Sequence, residues 1–317
     1  MQAALAGRYG PPETLRIAEI PTPEPRAHEV LVRVVATPVT AGDARIRAGR
    51  FPRGFGLPAR LALGLRGPRR RVLGAVCSGV IERTGSAVDR FAPGDAVVGM
   101  TGGRMGAHAE YAVIDAERLV PKPVALSHDA AAAALFGGTT ALYFLRDRVG
   151  LHTGQRLLVN GASGSVGSAA VQLGRALGAE VTAVTSGRNR ELATELGAAE
   201  VIDYTTTPIV EWGGDSDVVF DAVGTITRSS GQRLLAPGGA LVLAVASLAD
   251  TIRARGRVFA GPAPERAADF ELLLDLVARG RFDPVVRTLD GLDAIPEAHR
   301  IVDSGRKIGN LVVRLAE

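Results

Sequence analysis

The stretch "LLVNGASGSVGSAAVQLGRALGAEV", residues 157–181, decides the fold. Its apolar head, Arg156–Asn160, spells a buried strand, and a helix of residues 165–177 follows a turn of small residues. That turn, Gly161-Ala162-Ser163-Gly164-Ser165-Val166-Gly167, has the spacing G-x-x-G-x-x-G rather than G-x-G-x-x-G. A strand, a glycine turn and a helix in this order hold a phosphate. Gly164 lets the backbone approach a pyrophosphate, and Gly167 lets the helix lie close to the strand. The N–H groups at the helix start then face the anion.

Downstream, strands and helices alternate. Strands are expected at Glu180–Thr185, Glu200–Asp203, 217–221 and 240–245, with a helix over 188–196. The helices at 165–177 and 188–196 both end in Leu-Gly-Ala, where Gly178 and Gly197 suit the left-handed residue that closes a helix. Repeated strand–helix units with right-handed crossovers give a parallel sheet. Upstream, the first 120 residues hold short alternating runs such as "EVLVRVVAT" and a Pro-Gly-Asp turn in "RFAPGDAVVGM", so they read as β-rich. A helix starts near Ser127, its N-cap, and another lies in "ERAADFELLLDLVARG". The tail strand "IGNLVVRL" reads as β again and is expected to rejoin the first domain.

The 317 residues are 46% apolar and 22% charged, an ordinary globular composition for two domains. Net charge is +4, and arginine carries it, since Lys122 and Lys307 are the only lysines. Aromatic residues make up 4%, too few to interleave the "RGPRRR" cluster with stacking platforms, which argues against a nucleic-acid partner. Cys77, the only cysteine, excludes intrachain disulfides and any zinc site with several cysteines. The start shows no signal-peptide pattern and no run is long enough to span a bilayer, so the expected location is cytoplasmic.

The end of the second strand selects the cofactor. An NAD site places an acid there to accept the ribose 2′-OH. No acid lies between Val181 and Arg190; Ser186, Arg188, Asn189 and Arg190 stand there instead. A hydroxyl and a guanidinium bind a 2′-phosphate that a carboxylate would repel, so NADPH is the expected cofactor.

"RFAPGDAVVG", "GGTTALYFL", the glycine turn, "LGAAEVIDY" and "LAPGGALV" occur in an order that resembles the medium-chain dehydrogenase/reductase superfamily, and most closely its zinc-free quinone oxidoreductase (zeta-crystallin-like) branch. The resemblance spans nearly the whole chain. It implies an α/β protein: a GroES-like β-rich catalytic domain over 1–123, to which 263–317 returns, and a Rossmann doubly wound parallel sheet domain over 124–262. It implies Thr140 beside the nicotinamide, and Gly161, Ser163, Gly164, Ser165, Val166 and Gly167 around the pyrophosphate. Ser186, Arg188 and Tyr204 would clamp the 2′-phosphate. Val223 and Gly224 would pass the ribose, with Val245 and Phe259 completing the cofactor site. Relatives pair Rossmann sheet edges into dimers, so a homodimer near "GGALVLAVAS" is expected.

Zinc enzymes of the superfamily hold a catalytic metal with a Cys and a Gly-His-Glu. Here "TAGDARIRAG" carries Ala41 and no cysteine, and "LGAVCSG" carries Ala75. The five histidines show no ligand spacing. The expected reaction is therefore hydride transfer to a quinone or an α,β-unsaturated carbonyl, whose developing oxyanion needs hydrogen-bond donors rather than a metal. Many relatives carry Asn-Pro-x-Asp; here Thr40 stands for the asparagine, a candidate donor. Where relatives place substrate-facing tyrosines stand Arg45 and Phe51. Residues 49–72 suggest a flap: a hydrophobic lid including Phe51, Phe55, Leu57, Leu61 and Leu63, a membrane-touching segment, or a packed loop. Two other functions fit the sequence: an enoyl reductase tailoring a polyketide-like metabolite, and a cofactor-binding protein with little turnover.

Overall fold

The computed structural model describes residues 1–209, 212–213 and 215–315. Positions 210, 211 and 214 of the expected Rossmann domain, and 316–317 of the returning tail, lie outside the described residues.

One sheet is wholly parallel, with spatial order Glu200–Asp203, Glu180–Thr185, Arg156–Asn160, Ser216–Asp221, Leu235–Leu243, Val258–Ala260. The chain works outward from Arg156–Asn160 in one direction and then restarts beside it with Ser216–Asp221. That reversal is the topological switch point, where a doubly wound sheet opens a crevice at its carboxyl edge. Helix Ser165–Ala176 leaves the first strand through the glycine turn. Gly178 (φ 86°) and Gly197 (φ 109°) take left-handed backbone after their helices, as their sequence predicts.

Two local expectations change. The strand expected at 240–245 runs from Leu235 to Leu243. Pro237-Gly238-Gly239, which has the composition of a turn, is absorbed into the strand as an irregularity, with a register shift opposite Ser216 and Val218. The helix expected at 188–196 is a 3₁₀ turn, Gly187–Asn189, then a helix, Arg190–Glu195. The sheet edge on the far side is the three-residue Val258–Ala260 strand, which covers "ALVL".

The second sheet is mostly antiparallel, ordered Val286–Asp290, Asn310–Arg314, Glu29–Pro38, Val76–Thr84, Ala96–Met100, Leu119–Pro121, with Tyr111–Asp115 also on Glu29–Pro38. The tail strand thus pairs with the first long strand, Val313 opposite Thr37.

Two helices join the sheets. His128–Leu142 starts at Ser127, whose hydroxyl accepts from the Ala130 N–H. Alanines 131–134 are buried, and Ala132 and Ala133 bed against Ala36 and Val312 of the β-rich sheet. Farther along, a Cβ on Gly137 would lie 2.4 Å from the Ser165 carbonyl oxygen, so glycine alone permits this helix to cross the start of Ser165–Ala176. Helix Ala267–Ala278 places Leu273 in the Rossmann core, while Phe270 and Leu274 pack with Val76, Val98 and Met100. The cleft between the sheets is therefore walled by shared core.

Candidate active site in the interdomain cleft

The glycine turn is defined by one close approach. A Cβ on Gly167 would sit 2.0 Å from the Gly161 carbonyl oxygen, so no side chain fits there. Gly164 differs: its nearest neighbour would be that same oxygen at 3.5 Å, so its missing side chain leaves open space over the turn. No side chain caps helix Ser165–Ala176. Its first N–H groups therefore keep their hydrogen-bonding capacity, and Ser165, Val166 and Gly167 line a cavity of about 320 Å³. The tail braces the turn from the other side. Gly309 N–H donates to the Ser163 carbonyl at 2.8 Å, and Ser165 Oγ donates to Asn310 Oδ1 at 2.6 Å. Ser163 Oγ accepts from Thr185 Oγ1 and from Asn189 Nδ2, both at 3.0 Å.

Lys307, which the sequence pattern does not single out, lines the same cavity. Its ammonium donates to the Gly309 carbonyl, and burial pulls its pKa down to about 8. The one signal in the sequence is its rarity: the chain uses arginine almost everywhere else. A lysine and an uncapped helix N-terminus on one cavity are complementary to a diphosphate.

Opposite stands helix Ala41–Ala48. Thr40 faces the cavity, but its hydroxyl donates to Asp43 Oδ2 at 2.6 Å and accepts from Asp43 N–H at 3.2 Å. The donor expected to face a substrate is thus occupied in a capping box. Thr-x-x-Asp before a helix is the sequence signature of that box. Asp43 is fully buried and also accepts from the N–H of Thr40 and of Gly74. Arg45 lines the cavity with its pKa lowered by burial, and no carboxylate pairs with it among the described residues. Arg47, fully buried, bonds the Gly10 carbonyl and Asp303, each at 2.5 Å, and Arg50 reaches Asp303 at 2.8 Å. Breaking such a buried pair costs about 3–5 kcal/mol, so this pair pins the helix that presents Arg45.

Behind these elements His108 and His299, far apart in sequence, meet with ring centroids 5.6 Å apart. Burial drives His299 down to about 2, so it is neutral. Cys77 is buried and its thiol is pushed up to about 12. Among the described residues no three or more His, Cys, Asp or Glu side chains are grouped to hold a metal. The donor set does not fit a catalytic zinc.

The loop expected beside the ribose hangs on Asp221, at the end of the switch-point strand. Its carboxylate accepts from the N–H of Val223 (3.0 Å), Gly224 (3.0 Å) and Ile226 (3.1 Å) and from Asn160 Nδ2 (2.8 Å). Burial raises its pKa while these four donors oppose the rise. The loop divides the cleft: Val223 lines the 320 Å³ cavity, and Gly224 with Val245 lines a second of about 650 Å³.

Pro52, Arg53 and Gly54 of the flap close the second cavity, where Leu248 N–H donates to the Arg53 carbonyl at 2.8 Å. Phe51 and Phe55, expected in the substrate pocket, line neither cavity; Phe51 packs edge-to-face on Tyr9. Leu57 and Leu61 face solvent. The flap therefore covers the cleft with its Pro52–Arg53–Gly54 corner, and the ring of Tyr9 takes up Phe51. Thr140 donates to the Phe136 carbonyl at 2.8 Å and lines neither cavity, although Phe136 lines the first. Phe259 also lies off both, under the Arg148 guanidinium at 5.1 Å.

At the expected 2′-phosphate end, Ser186 Oγ accepts from Asn189 Nδ2 at 3.2 Å, while Arg188 and Tyr204 are exposed. The fold adds an acid that the local sequence lacks. Asp203, from the adjacent strand, accepts from Thr205 Oγ1 and N–H, and these donors hold its carboxyl below the usual range.

The glycine geometry separates two roles. Gly164→Ala should fold with an unchanged melting temperature but weaken dinucleotide binding by about tenfold or more, since the methyl occupies the open face of the turn. Gly167→Ala should destabilise the chain by about 1–3 kcal/mol through overpacking, read as a lower Tm before any ligand is added. Lys307 sets a pH dependence. An anion favours its ammonium, so affinity should be constant well below pH 8 and fall about tenfold for each unit above it. Arg45, Arg50 and Asp303 share the cavity with it. Fluorescence titration of the dinucleotide should show this fall in the wild type and a flat profile in Lys307→Gln.

A family profile described as "Alcohol dehydrogenase GroES-like domain" matches residues 26–124, and one described as "Zinc-binding dehydrogenase" matches 196–313. A quinone oxidoreductase of Pseudomonas aeruginosa is 34% identical over 241 residues, covering 74% of this chain and 70% of that protein. The spectinabilin polyketide synthase system protein NorB of Streptomyces orinoci is 35% identical over 304 residues, 88% of this chain but 13% of that much longer protein. The solved quinone oxidoreductase of Coxiella burnetii superposes with a TM-score of 0.88 at 26% identity, covering 100% of this chain and 99% of the other. With its GroES-like and Rossmann sheets and its cleft at the switch point, the chain belongs to the quinone oxidoreductase branch of the medium-chain dehydrogenase/reductase superfamily and is an oxidoreductase built for a nicotinamide cofactor.

Proposed function

We propose that this chain is a zinc-independent, NADPH-dependent reductase of quinones or α,β-unsaturated carbonyl compounds. The observation that carries the reading is the pairing of an anion-binding turn with an adjoining 650 Å³ cavity and no metal-ligand cluster among the described residues. When bound, the nicotinamide would supply hydride. The chain's own groups do the rest. The Ser165–Gly167 backbone and Lys307 hold the diphosphate. The Asp221 loop sets the position of the ribose, and Ser186 with Arg188 and Tyr204 holds the 2′-phosphate. Arg45, cationic and without an ion pair among the described residues, adds its charge to the anion side of the 320 Å³ cavity and does not line the 650 Å³ one. Thr40 acts through Asp43 by fixing the helix that carries Arg45. The flap corner excludes water from the cavity, and no side chain need serve as an obligate acid, since solvent can protonate the enolate after release. A cytoplasmic setting and a homodimer through the short Val258–Ala260 edge belong to the same proposal.

A second reading, enoyl reduction on a polyketide-like substrate, is favoured by the match to NorB along 88% of the chain.

Loss of NADPH absorbance against a panel of quinones and enones should show turnover. Tight NADPH binding with no oxidation by any acceptor would leave only a binding role. Wild-type protein should prefer NADPH over NADH by at least about tenfold in Kd, and Arg188→Ala should narrow that gap. Equal affinities in the wild type would remove the 2′-phosphate clamp.

A further inference from the structure

Between Arg45 and Arg71 the chain has nine arginines and no acidic residue, so the remainder of a chain with net charge +4 is net negative. Arg47 and Arg50 are paired with Asp303. Arg53, Arg60, Arg66, Arg69, Arg70 and Arg71 are exposed and make no ion pair among the described residues. Helix Gly56–Leu63, in their midst, has no buried residue. Leu57 and Leu61 lie one turn apart on it, 68% and 55% exposed, and Leu65 just beyond is 62% exposed. The segment is nevertheless well anchored. Tyr9 Oη donates to the Gly64 carbonyl at 2.6 Å, Tyr9 N–H to the Arg66 carbonyl, and Ala6 N–H to the Arg71 carbonyl.

We propose that this flap rests on an anionic lipid surface, its arginines on lipid phosphates and Leu57, Leu61 and Leu65 in the acyl boundary. Leucines on one side of a short helix and arginines around them are the two halves of an interfacial segment. Charge complementarity selects the occupant: the segment has no acid of its own, and the acids beside Arg69–Arg71, Glu24 and Glu29, are paired with Arg83 and Arg104, so its arginines call for a dense array of anions. The leucines favour a bilayer over an acidic protein, because they add an apolar layer to the positive charge. The same flap closes the 650 Å³ cavity with Pro52, Arg53 and Gly54. Docking there would set the cavity mouth against the membrane, where an apolar acceptor concentrates. That benefit rests on the reductase reading; the docking itself does not.

The test is cosedimentation of the full chain with vesicles of phosphatidylcholine alone or with about one-third phosphatidylserine, at low and high salt. Binding should require phosphatidylserine, weaken with salt, and drop roughly fivefold for each arginine removed in Arg69→Gln/Arg70→Gln/Arg71→Gln. That variant should retain activity on a water-soluble acceptor. Leu57→Ser/Leu61→Ser should weaken binding to the same vesicles with an unchanged Tm. No binding to the anionic vesicles at low salt overturns the proposal. Equal capture by soluble polyglutamate, indifferent to the leucine substitutions, also overturns it, by assigning the patch to acidic proteins. Vesicle binding without turnover of any acceptor would leave docking intact and defeat the reductase reading instead.

Discussion

The contact on which the site depends is the one between the Gly161 carbonyl and the bare α-carbon of Gly167. It brings the start of helix Ser165–Ala176 against the end of the first Rossmann strand, so the helix dipole and its free N–H groups open onto the cleft. Two further approaches follow from it. Gly137 lets the joining helix cross at Ser165, and Gly309 lets the tail strand hydrogen-bond Ser163. The turn is thus fixed by three segments, one before it in the chain, its own helix, and one near the C-terminus. The cofactor side of the cleft is a consequence of backbone meeting backbone, and side chains such as Lys307 only tune its charge.

This division explains what the sequence reveals. Five of the six Rossmann strands are legible because each is a short apolar run between turn residues, and periodicity is a local signal; the three-residue Val258–Ala260 is too short to give one. Gly164 and Gly167 separate into two roles by spacing alone, because both roles follow from position along one strand–turn–helix unit. The strand at Leu235–Leu243 reads short in the sequence, since Pro-Gly-Gly has turn chemistry and only pairing to Ser216–Asp221 shows it carried inside a sheet as an irregularity. The side chains around the cleft are harder to place. Arg47 and Asp303, His108 and His299, and Asp203 beside Gly187 come from separate segments. No periodicity encodes such meetings. Thr40 is the instructive case: the residue type offers a free hydroxyl, yet Asp43 three residues on accepts its hydrogen bond.

Asp43 and Asp221 show how buried carboxylates serve this cleft without doing chemistry in it. Each sits at the end of an element and collects donors, three onto Asp43 besides its own capping contact and four onto Asp221. A buried carboxylate is costly unless its lone pairs are filled, and an unfilled buried donor is costly in turn. Each cluster is therefore stable only when complete, which makes the adjoining loop nearly rigid. One cluster sets the wall that carries Arg45, and the other sets the loop that separates the two cavities. Both carboxylates are fully buried, so neither faces a substrate.

The distribution of arginine follows a similar logic. Where arginines are buried or half-buried near the cleft they are satisfied by Asp303 or left facing the cavity, as Arg45 is. Outside, on the flap, they make no ion pair among the described residues and stand among exposed leucines. Like charges packed this closely repel one another, and exposed leucines gain nothing from water. The local fold accepts both costs in a segment anchored by three hydrogen bonds to the N-terminal strand region. A rigid, unfavourable surface at the mouth of an apolar cavity is best understood as half of an interface, and the missing half must supply both negative charge and an apolar layer.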